Sequence, residues 1–227
     1  MGELKVKDKD IVVPGELLAD GMDYLPSTGT YRDENCILSF QVGLIQIDGR
    51  VIKVIPLTGK YNPRRNDTII GEVVNITMNG WVIDIGGPYS AMLMLKEASS
   101  SFIERGADLS QFYDYGDIIV AQVINVTKTK LIDLSMRGPD LRKLKGGRII
   151  DVTSPKVPRI IGRQGSMIHM IKDSAKCRIV VGQNGKVWIS GDNMQDENKA
   201  AEAIMMIENE PQAEGLTEKV KNFLEGK

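Results

Sequence analysis

Two glycines three positions apart, Gly162 and Gly165, interrupt an otherwise apolar stretch of the sequence and enclose Arg163 and Gln164. Glycine has no Cβ, so the backbone can turn sharply here and a sugar-phosphate chain can approach it closely. Arg163 supplies a positive charge at the same point. Residue types and spacing therefore predict a clamp for a phosphate backbone.

The residues after this turn predict a helix that would point its N-terminus at the same anion. Ile168, Ile171 and Ala175 recur at helical spacing, so one face of the segment is apolar. The free N–H groups of a first helical turn bind phosphate well, and the helix dipole adds to the attraction.

Positive charge is concentrated around the glycine turn. The chain has 227 residues and a net charge of −1. Residues 128–186 contain 14 Lys or Arg and four Asp, a net charge of +10, which leaves −11 on the rest of the chain. Because the basic segment coincides with the glycine turn, we predict that it forms a track for a polyanion.

The elements predicted around the turn follow the order β-α-α-β-β-α over residues 146–210. The glycine turn lies between the first two helices, and Asn184-Gly185 turns the chain between the last two strands. This segment resembles a eukaryote-style KH domain of α+β class. The resemblance implies binding of single-stranded RNA, with the glycine loop clamping about four nucleotides.

In a KH domain the nucleobases lie in an apolar groove beside the glycine loop. Four isoleucines are candidates for the groove floor, although an ordinary core needs such residues equally: Ile160, Ile161, Ile168 and Ile179. Three cations are candidates for phosphate contacts: Arg159, Lys172 and Arg178.

Residues 67–137 predict five short strands with a longer insertion after the third, which fits a five-stranded OB-fold barrel. Asn79-Gly80 forms the first turn, and the next strand reads Trp81-Val82-Ile83-Asp84-Ile85. The segment resembles an S1 domain. A short basic connector rich in glycine at its end, residues 137–147, leads from it to the KH segment.

The S1 segment departs from the family at its RNA-binding face. S1 domains that bind RNA strongly carry two aromatic residues and a histidine where this chain has Asn79, Val82 and Met94. Base stacking contributes about 1–3 kcal/mol per base, so stacking should be weaker here. Trp81 alternates with Ile83, which favours a core role. Secondary RNA contacts are assigned to five S1 residues: Asn79, Trp81, Met94, Lys128 and Lys130.

The two ends of the chain predict smaller elements. Residues 1–66 form a β-rich unit with a hairpin around Asp48-Gly49, and its small core should depend on a neighbour or partner subunit. In the tail, residues 211–227, Leu216, Val220 and Leu224 have helical spacing and predict a short docking helix. The predicted fold class is therefore mixed and multidomain.

The sequence offers little for catalysis. His169 is the single histidine, and Cys36 and Cys177 lie far apart, so histidine-based nucleophilic and metal chemistries lack their residues. We predict no catalytic residue, no metal and no cofactor. No apolar run is long enough to span a membrane, and the first residues lack the apolar core of a signal peptide. A cytoplasmic protein without membrane contact is expected.

The order of a β unit, an S1 barrel and one KH domain resembles the RNA-binding cap subunits of the archaeal exosome, the ribosomal RNA-processing protein four family. The resemblance rests on three stretches: Val12-Val13-Pro14-Gly15-Glu16, Gly59-Lys60-Tyr61-Asn62-Pro63, and residues 156–168. It implies a subunit without catalysis. The implied partners are single-stranded RNA, the phosphorolytic ring subunits of the exosome, and other cap subunits.

Three alternatives remain open from the sequence. The first is a transcription or translation factor with S1 and KH modules, and the second is an autonomous ribonuclease. The third is a structural stabiliser of the ring that hardly touches RNA, which the missing S1 aromatic residues leave open.

Overall fold

The computed structural model describes residues 2–99, 103–104, 106–210 and 215–225. The chain divides into two compact units, Met1–Gly59 and Lys60–Lys227. Among the helices of the described ranges, none has the length and apolar character needed to cross a membrane.

The first unit consists, in its described part, of two four-stranded sheets with the orders β1-β3-β6-β5 and β2-β7-β8-β4. Its strands are β1 Glu3–Leu4, β2 Ile11–Val12, β3 Leu17–Asp20, β4 Leu25–Pro26, β5 Thr30–Asp33, β6 Cys36–Ser39, β7 Gly43–Asp48 and β8 Val51–Pro56. The core is small, since only eight buried apolar residues form its cluster in the described part.

The predicted hairpin of this unit is present, with its turn displaced by one residue. β7 and β8 pair antiparallel up to Asp48 and Val51, so Gly49 and Arg50 form the turn. Gly49 has a φ of +59°, a conformation that glycine adopts without strain. Asp48 therefore ends a strand instead of opening the turn.

The second unit begins with the predicted barrel, which confirms the OB-fold class. Its strands are β9 Thr68–Thr77, β10 Gly80–Asp84, β11 Ser90–Met94, β12 Ile118–Val126 and β13 Ile132–Ser135. The barrel closes because β12 pairs antiparallel with both β9 and β13, and β13 pairs parallel with β11. A short helix α1, Leu95–Ala98, and a 3₁₀ turn, Leu109–Gln111, lie in the insertion after the third strand.

The basic connector after the barrel adds a further strand, β14, Lys143–Leu144. β14 pairs antiparallel with Ile118 and Ile119 of β12. The connector is therefore attached to the barrel edge through backbone hydrogen bonds.

The KH segment has the predicted element order, which confirms the α+β class. Its elements are β15 Arg148–Asp151, α2 Val157–Ile161, α3 Ser166–Ala175, β16 Arg178–Val181, β17 Lys186–Ser190 and α4 Met194–Asn209. β17 is the central strand of a three-stranded antiparallel sheet. Proline after a helix favours its end, and Pro211, the residue for which the sequence predicts this stop, lies outside the described residues.

The tail contains a helix, α5, Leu216–Glu225. Leu216, Val220 and Leu224 are buried in the same apolar cluster as the KH helices and sheet. The described part of the tail therefore completes the KH core.

The S1 barrel and the KH domain are joined by a buried asparagine in the β16–β17 turn. The side-chain amide of Asn184 donates to the carbonyl oxygens of Ile70 (2.7 Å) and Ile85 (2.9 Å), and its Oδ1 accepts the Ile70 N–H at 3.2 Å. The Gln183 N–H also donates to the Thr68 carbonyl at 2.8 Å. Asn184 thus takes the place of a strand on the side of β9 that faces away from β12, beyond the end of the β10 pairing at Glu72. S1 and KH form one compact unit.

Candidate nucleic-acid interface

The glycine turn has the sharp backbone that its sequence predicts. Gly162 ends α2 with φ 76° and ψ 175°, Gln164 has φ 52°, and Gly165 has φ 78° directly before α3. The Gly162 N–H donates to the Pro158 carbonyl at 3.0 Å, and the Gly165 N–H donates to the Gly162 carbonyl at 3.2 Å. Internal hydrogen bonds therefore hold the turn in shape.

Close neighbours explain why glycine is needed at the first position. A Cβ on Gly162 would lie 2.7 Å from the Met167 Cβ and 2.8 Å from the Met167 backbone nitrogen. A Cβ on Gly165 would approach the imidazole of His169 at 3.2 Å and the Ile168 Cγ2 at 4.0 Å. The two glycines thus differ: Gly162 is fixed by backbone packing, whereas Gly165 faces a side chain that can move.

The N-terminus of α3 lies beside this loop, and its Ser166 N–H donates to the Arg163 carbonyl. No side chain caps its N-terminus within the described residues. Arg163 and Gln164 are exposed next to it. The loop therefore offers backbone donors, a guanidinium and an amide to one anion.

Three further predicted cations lie on α2, α3 and β16, the elements that follow or precede the loop. Arg159 is exposed in the last turn of α2, Arg178 is exposed at the start of β16, and Lys172 is half-buried in the last turn of α3. Across the described ranges, none of them forms an ion pair with a carboxylate. Their charges remain available for phosphate.

The four predicted groove isoleucines do not share one environment. Ile160 is completely buried and Ile168 and Ile179 are nearly so, all within the KH core. Ile161 is half-buried and packs against that core from outside. Of the four, Ile161 is the one that keeps substantial exposed surface, and the other three belong to the KH core.

A buried carboxylate that the sequence analysis missed fixes the start of α2. Glu208 near the end of α4 accepts hydrogen bonds from the Thr153 hydroxyl (2.6 Å) and from the Lys156 ammonium (3.2 Å), which also donates to the Glu208 carbonyl (2.7 Å). Lys156 is therefore a structural residue, and α2 enters the glycine turn from a fixed point. Since the two partners lie 52 positions apart, no local pattern could reveal the pair.

The positive charge of residues 128–186 is divided between structure and surface. Four of the 14 cations form ion pairs in the described part of the chain: Arg142, Lys143, Lys156 and Lys186. The other ten have no carboxylate partner there, and they include all the cations predicted to contact RNA.

The structure places the S1 candidates at opposite ends of the barrel. Asn79 and Met94 meet where β10 and β11 pair through Gly80 and Met94, and both are exposed. Lys128 and Lys130 lie in the β12–β13 turn, next to the end where β11 and β13 begin to pair at Ala91 and Ile132. The five-residue strands β10 and β11 separate the two ends by about 13 Å, so these residues do not form one site.

Trp81 belongs to the barrel core. It is completely buried, its indole N–H donates to the Tyr113 carbonyl at 2.9 Å, and its ring meets the Tyr113 ring edge-on at 5.2 Å. Burial raises the pKa of the Tyr113 phenol. No face of the Trp81 ring is open to a base, which corrects its assignment as an RNA contact in favour of the core role.

Within residues 2–99, 103–104, 106–210 and 215–225, no group of three His, Cys, Asp or Glu side chains could hold a metal ion. His169 is exposed on α3 beside Gly165. Cys36 and Cys177 are both free thiols.

An OB-fold barrel joined to a KH domain, with a glycine turn between the first two KH helices, defines the class of S1/KH RNA-binding proteins. Family models match three consecutive parts of the chain. Residues 9–58 match the N-terminal domain of the exosome RNA-binding protein RRP4, residues 60–125 the RRP4 S1 domain, and residues 147–195 a KH domain.

Curated archaeal relatives agree over almost the whole chain. The exosome complex component Rrp4 of Thermococcus kodakarensis is 43% identical over 99% of this chain and 88% of its own length. That of Methanothermus fervidus is 43% identical over 97% of both chains. The chain belongs to the Rrp4 family of exosome complex components and is an RNA-binding subunit of the exosome.

A solved structure agrees with this assignment. The crystal structure of a protein provisionally assigned as an exosome complex RNA-binding protein superposes with a TM-score of 0.67 at 30% identity. It covers 74% of this chain and 97% of its own.

Proposed function

We propose that the protein is a cytoplasmic cap subunit without catalytic activity, which captures single-stranded RNA and feeds its 3′ end into the pore of the phosphorolytic exosome ring. The observation that carries this proposal is the glycine turn between α2 and α3. There, the uncapped N-terminus of α3 and the exposed Arg163 and Gln164 lie at one turn, which suits an anion. The relatives are named as exosome components, which supports the ring as the partner.

The surface of the N-terminal unit supports docking to another protein. Ile11, Leu44 and Ile55 lie side by side on three paired strands, since Ile11 pairs with Leu44 and Leu44 with Ile55. Ile11 is 59% exposed and Ile55 45% exposed. A small core beneath an exposed apolar row is what a unit stabilised by a partner should show. We assign this row to the contact with the ring subunits.

The RNA clamp is tested with Gly165→Asp, which places a negative charge where phosphate would bind. RNA affinity of the assembled complex should fall at least tenfold, because a like charge replaces an attractive site. Gly116→Asp is the matched control, since Gly116 also has a positive φ (+79°) and open space around it, but lies in the turn before β12. Equal affinity of the two variants would overturn the clamp.

The docking row is tested with Ile11→Lys and Ile55→Lys together. Two ammonium groups in an apolar contact should abolish co-elution with the ring subunits. Met194→Lys, at an 81% exposed position at the start of α4, is the control and should co-elute normally. Retained co-elution of the double variant would contradict the assignment.

The absence of catalysis has its own test. The purified chain alone is incubated with labelled RNA, phosphate and magnesium, and no shortening is expected. Degradation that scales with chain concentration and survives further purification would establish an autonomous ribonuclease instead.

A further inference from the structure

We propose a second RNA-backbone site on the S1 barrel, at the end formed by residues 60–66 and the β12–β13 turn, which we call the S1 basic end. It would bind the phosphates of the same single-stranded RNA that the KH clamp holds, so the inference rests on the proposed function. It also specifies which end of the S1 barrel meets RNA.

Residues 60–66 are fastened to this end of the barrel. The Asn66 N–H donates to the Val123 carbonyl at 2.7 Å, and Tyr61 packs against the barrel core. The Tyr61 hydroxyl and the Arg64 N–H both donate to one oxygen of Asp67, at 2.7 and 3.1 Å. Burial, followed by the bond to Asp67, raises the pKa of the Tyr61 phenol, which keeps it a donor. The exposed side chains of Lys60, Arg64 and Arg65 therefore project from a fixed backbone.

The β12–β13 turn adds two cations beside this segment. The Thr127 hydroxyl accepts the Leu131 N–H at 3.0 Å, and the Lys130 N–H donates to the Thr127 carbonyl at 3.0 Å. The Lys130 ammonium donates to the Asn62 side-chain oxygen at 3.0 Å, which joins the turn to residues 60–66. Lys128 is exposed at the tip of the turn.

The S1 basic end carries more positive than negative charge, which favours an anionic ligand. Across the described residues, none of the five cations of the S1 basic end forms an ion pair. Three carboxylates lie near this end and keep their negative charge, since their hydrogen-bond donors are neutral: Asp67 accepts from Tyr61 and the Arg64 N–H, Asp133 from the Asn125 amide at 3.0 Å, and Asp84 from the Gly86 N–H at 2.9 Å. Five cations therefore face three carboxylates. Phosphate is the ligand that would complement cations held in this way.

An exposed aromatic residue lies at the same end. Since β11 and β13 begin to pair at Ala91 and Ile132, Tyr89 and Lys130 each lie two residues before the first pair. Tyr89 is 41% exposed and can stack with a base next to the bound phosphates. The combination of a basic surface with one aromatic ring favours single-stranded RNA over an acidic protein.

The opposite end of the barrel has the reverse charge. Around Asn79 and Met94, the described part of the insertion carries Glu97, Glu104, Asp108 and Asp114. The cations there are fewer: Lys96 in the insertion and Arg137, which donates to the Ser99 carbonyl at 3.2 Å. A polyanion is therefore attracted to the S1 basic end and not to the end that carries Asn79 and Met94.

The test removes three exposed charges with Arg64→Ser, Arg65→Ser and Lys128→Ser in the full chain. Affinity for a single-stranded RNA of about 20 nucleotides is measured against salt concentration. The logarithm of the association constant falls linearly with the logarithm of the salt concentration, and each phosphate contact contributes about 0.7 to the steepness of that fall. The triple variant should therefore show a slope that is less steep by about 2. Lys199→Ser, Lys219→Ser and Lys221→Ser, on α4 and α5, make the same charge change and should leave the slope within about 0.5 of the unmodified value.

Charge-preserving exchanges keep the result interpretable if the triple variant is unstable. The variant with Arg64→Lys, Arg65→Lys and Lys128→Arg keeps all three charges and should retain the full slope. A slope reduced by about 2 in this variant would show that positive charge alone does not explain the binding. Tyr89→Ala should weaken binding about tenfold without changing the slope, because stacking releases no counterions. Unchanged affinity would remove Tyr89 from the site.

Gly165→Asp is measured alongside, so that the two proposals fail separately. If the triple variant keeps its slope while Gly165→Asp loses affinity, the S1 basic end is refuted and RNA capture stands. If neither variant changes RNA binding, RNA capture itself fails. If the triple variant binds RNA normally but no longer co-elutes with the ring subunits, the surface is a protein contact and the inference is overturned.

Discussion

At the scale of single residues, Gly162 and Gly165 are the same residue type but have different roles in the structure. Gly162 combines φ 76° with ψ 175°, a region that is essentially restricted to glycine and costs another residue about 1–3 kcal/mol. Its missing Cβ also leaves room for the Met167 backbone nitrogen. Gly165 is in the left-handed helical region, where other residues are uncommon but tolerated at a cost of about 1–2 kcal/mol.

We therefore predict that Gly162→Ala lowers the free energy of unfolding by about 2–4 kcal/mol, because strain and a backbone clash add together. Gly165→Ala should cost about 1 kcal/mol, since the His169 ring can rotate away. Chemical denaturation of both variants measures the difference. Equal losses would show that the Met167 contact does not fix the turn.

At the scale of elements, the β16–β17 turn connects the KH domain to the barrel. Asn184 saturates both backbone groups of Ile70 and the carbonyl of Ile85. Trp188 packs with Ile70, Val120 and Leu144 in a separate buried cluster beside it. The clamp on the KH domain and the S1 basic end are therefore held on one compact body.

Asn184→Ala should destabilise this joint by about 3–5 kcal/mol, because it leaves three buried backbone groups without a partner. Gln183→Ala is the control, since Gln183 contributes its backbone N–H to the joint. Thermal denaturation and limited proteolysis of residues 137–147 measure the effect. If both variants unfold at the same temperature as the unmodified chain, the Asn184 hydrogen bonds do not stabilise the contact between the barrel and the KH domain.

At the scale of the whole molecule, the charge distribution predicts modest RNA affinity for the isolated chain. The basic segment carries +10 and the remainder −11, so long-range attraction to RNA largely cancels. Several cap subunits around one pore would instead act at high effective concentration.

We predict that RNA binding tightens by about 100-fold when the chain is assembled with the ring subunits, through linked sites instead of new contacts. Titration of the same RNA against the free chain and the complex measures the gain. An RNA of about four nucleotides should show almost no gain, since it occupies one clamp. A similar gain for the short RNA would point to a site created by assembly.

The local patterns of the sequence determined the class of each domain and the shape of the glycine turn. The glycine turn, the hairpin near Asp48-Gly49 and the β-α-α-β-β-α order depend on residues within a few positions of one another, where backbone preference and periodicity decide the conformation. The match of the whole arrangement to the Rrp4 family of exosome components followed from the order of those domains.

Tertiary structure decided which candidate residues are available to RNA. Ile160 and Trp81 are in the core, Lys156 is bound to Glu208, and Asn79 lies at the barrel end opposite Lys128. Each of these outcomes depends on partners far away in the sequence, and a side chain's burial or free charge is fixed only when those partners come together.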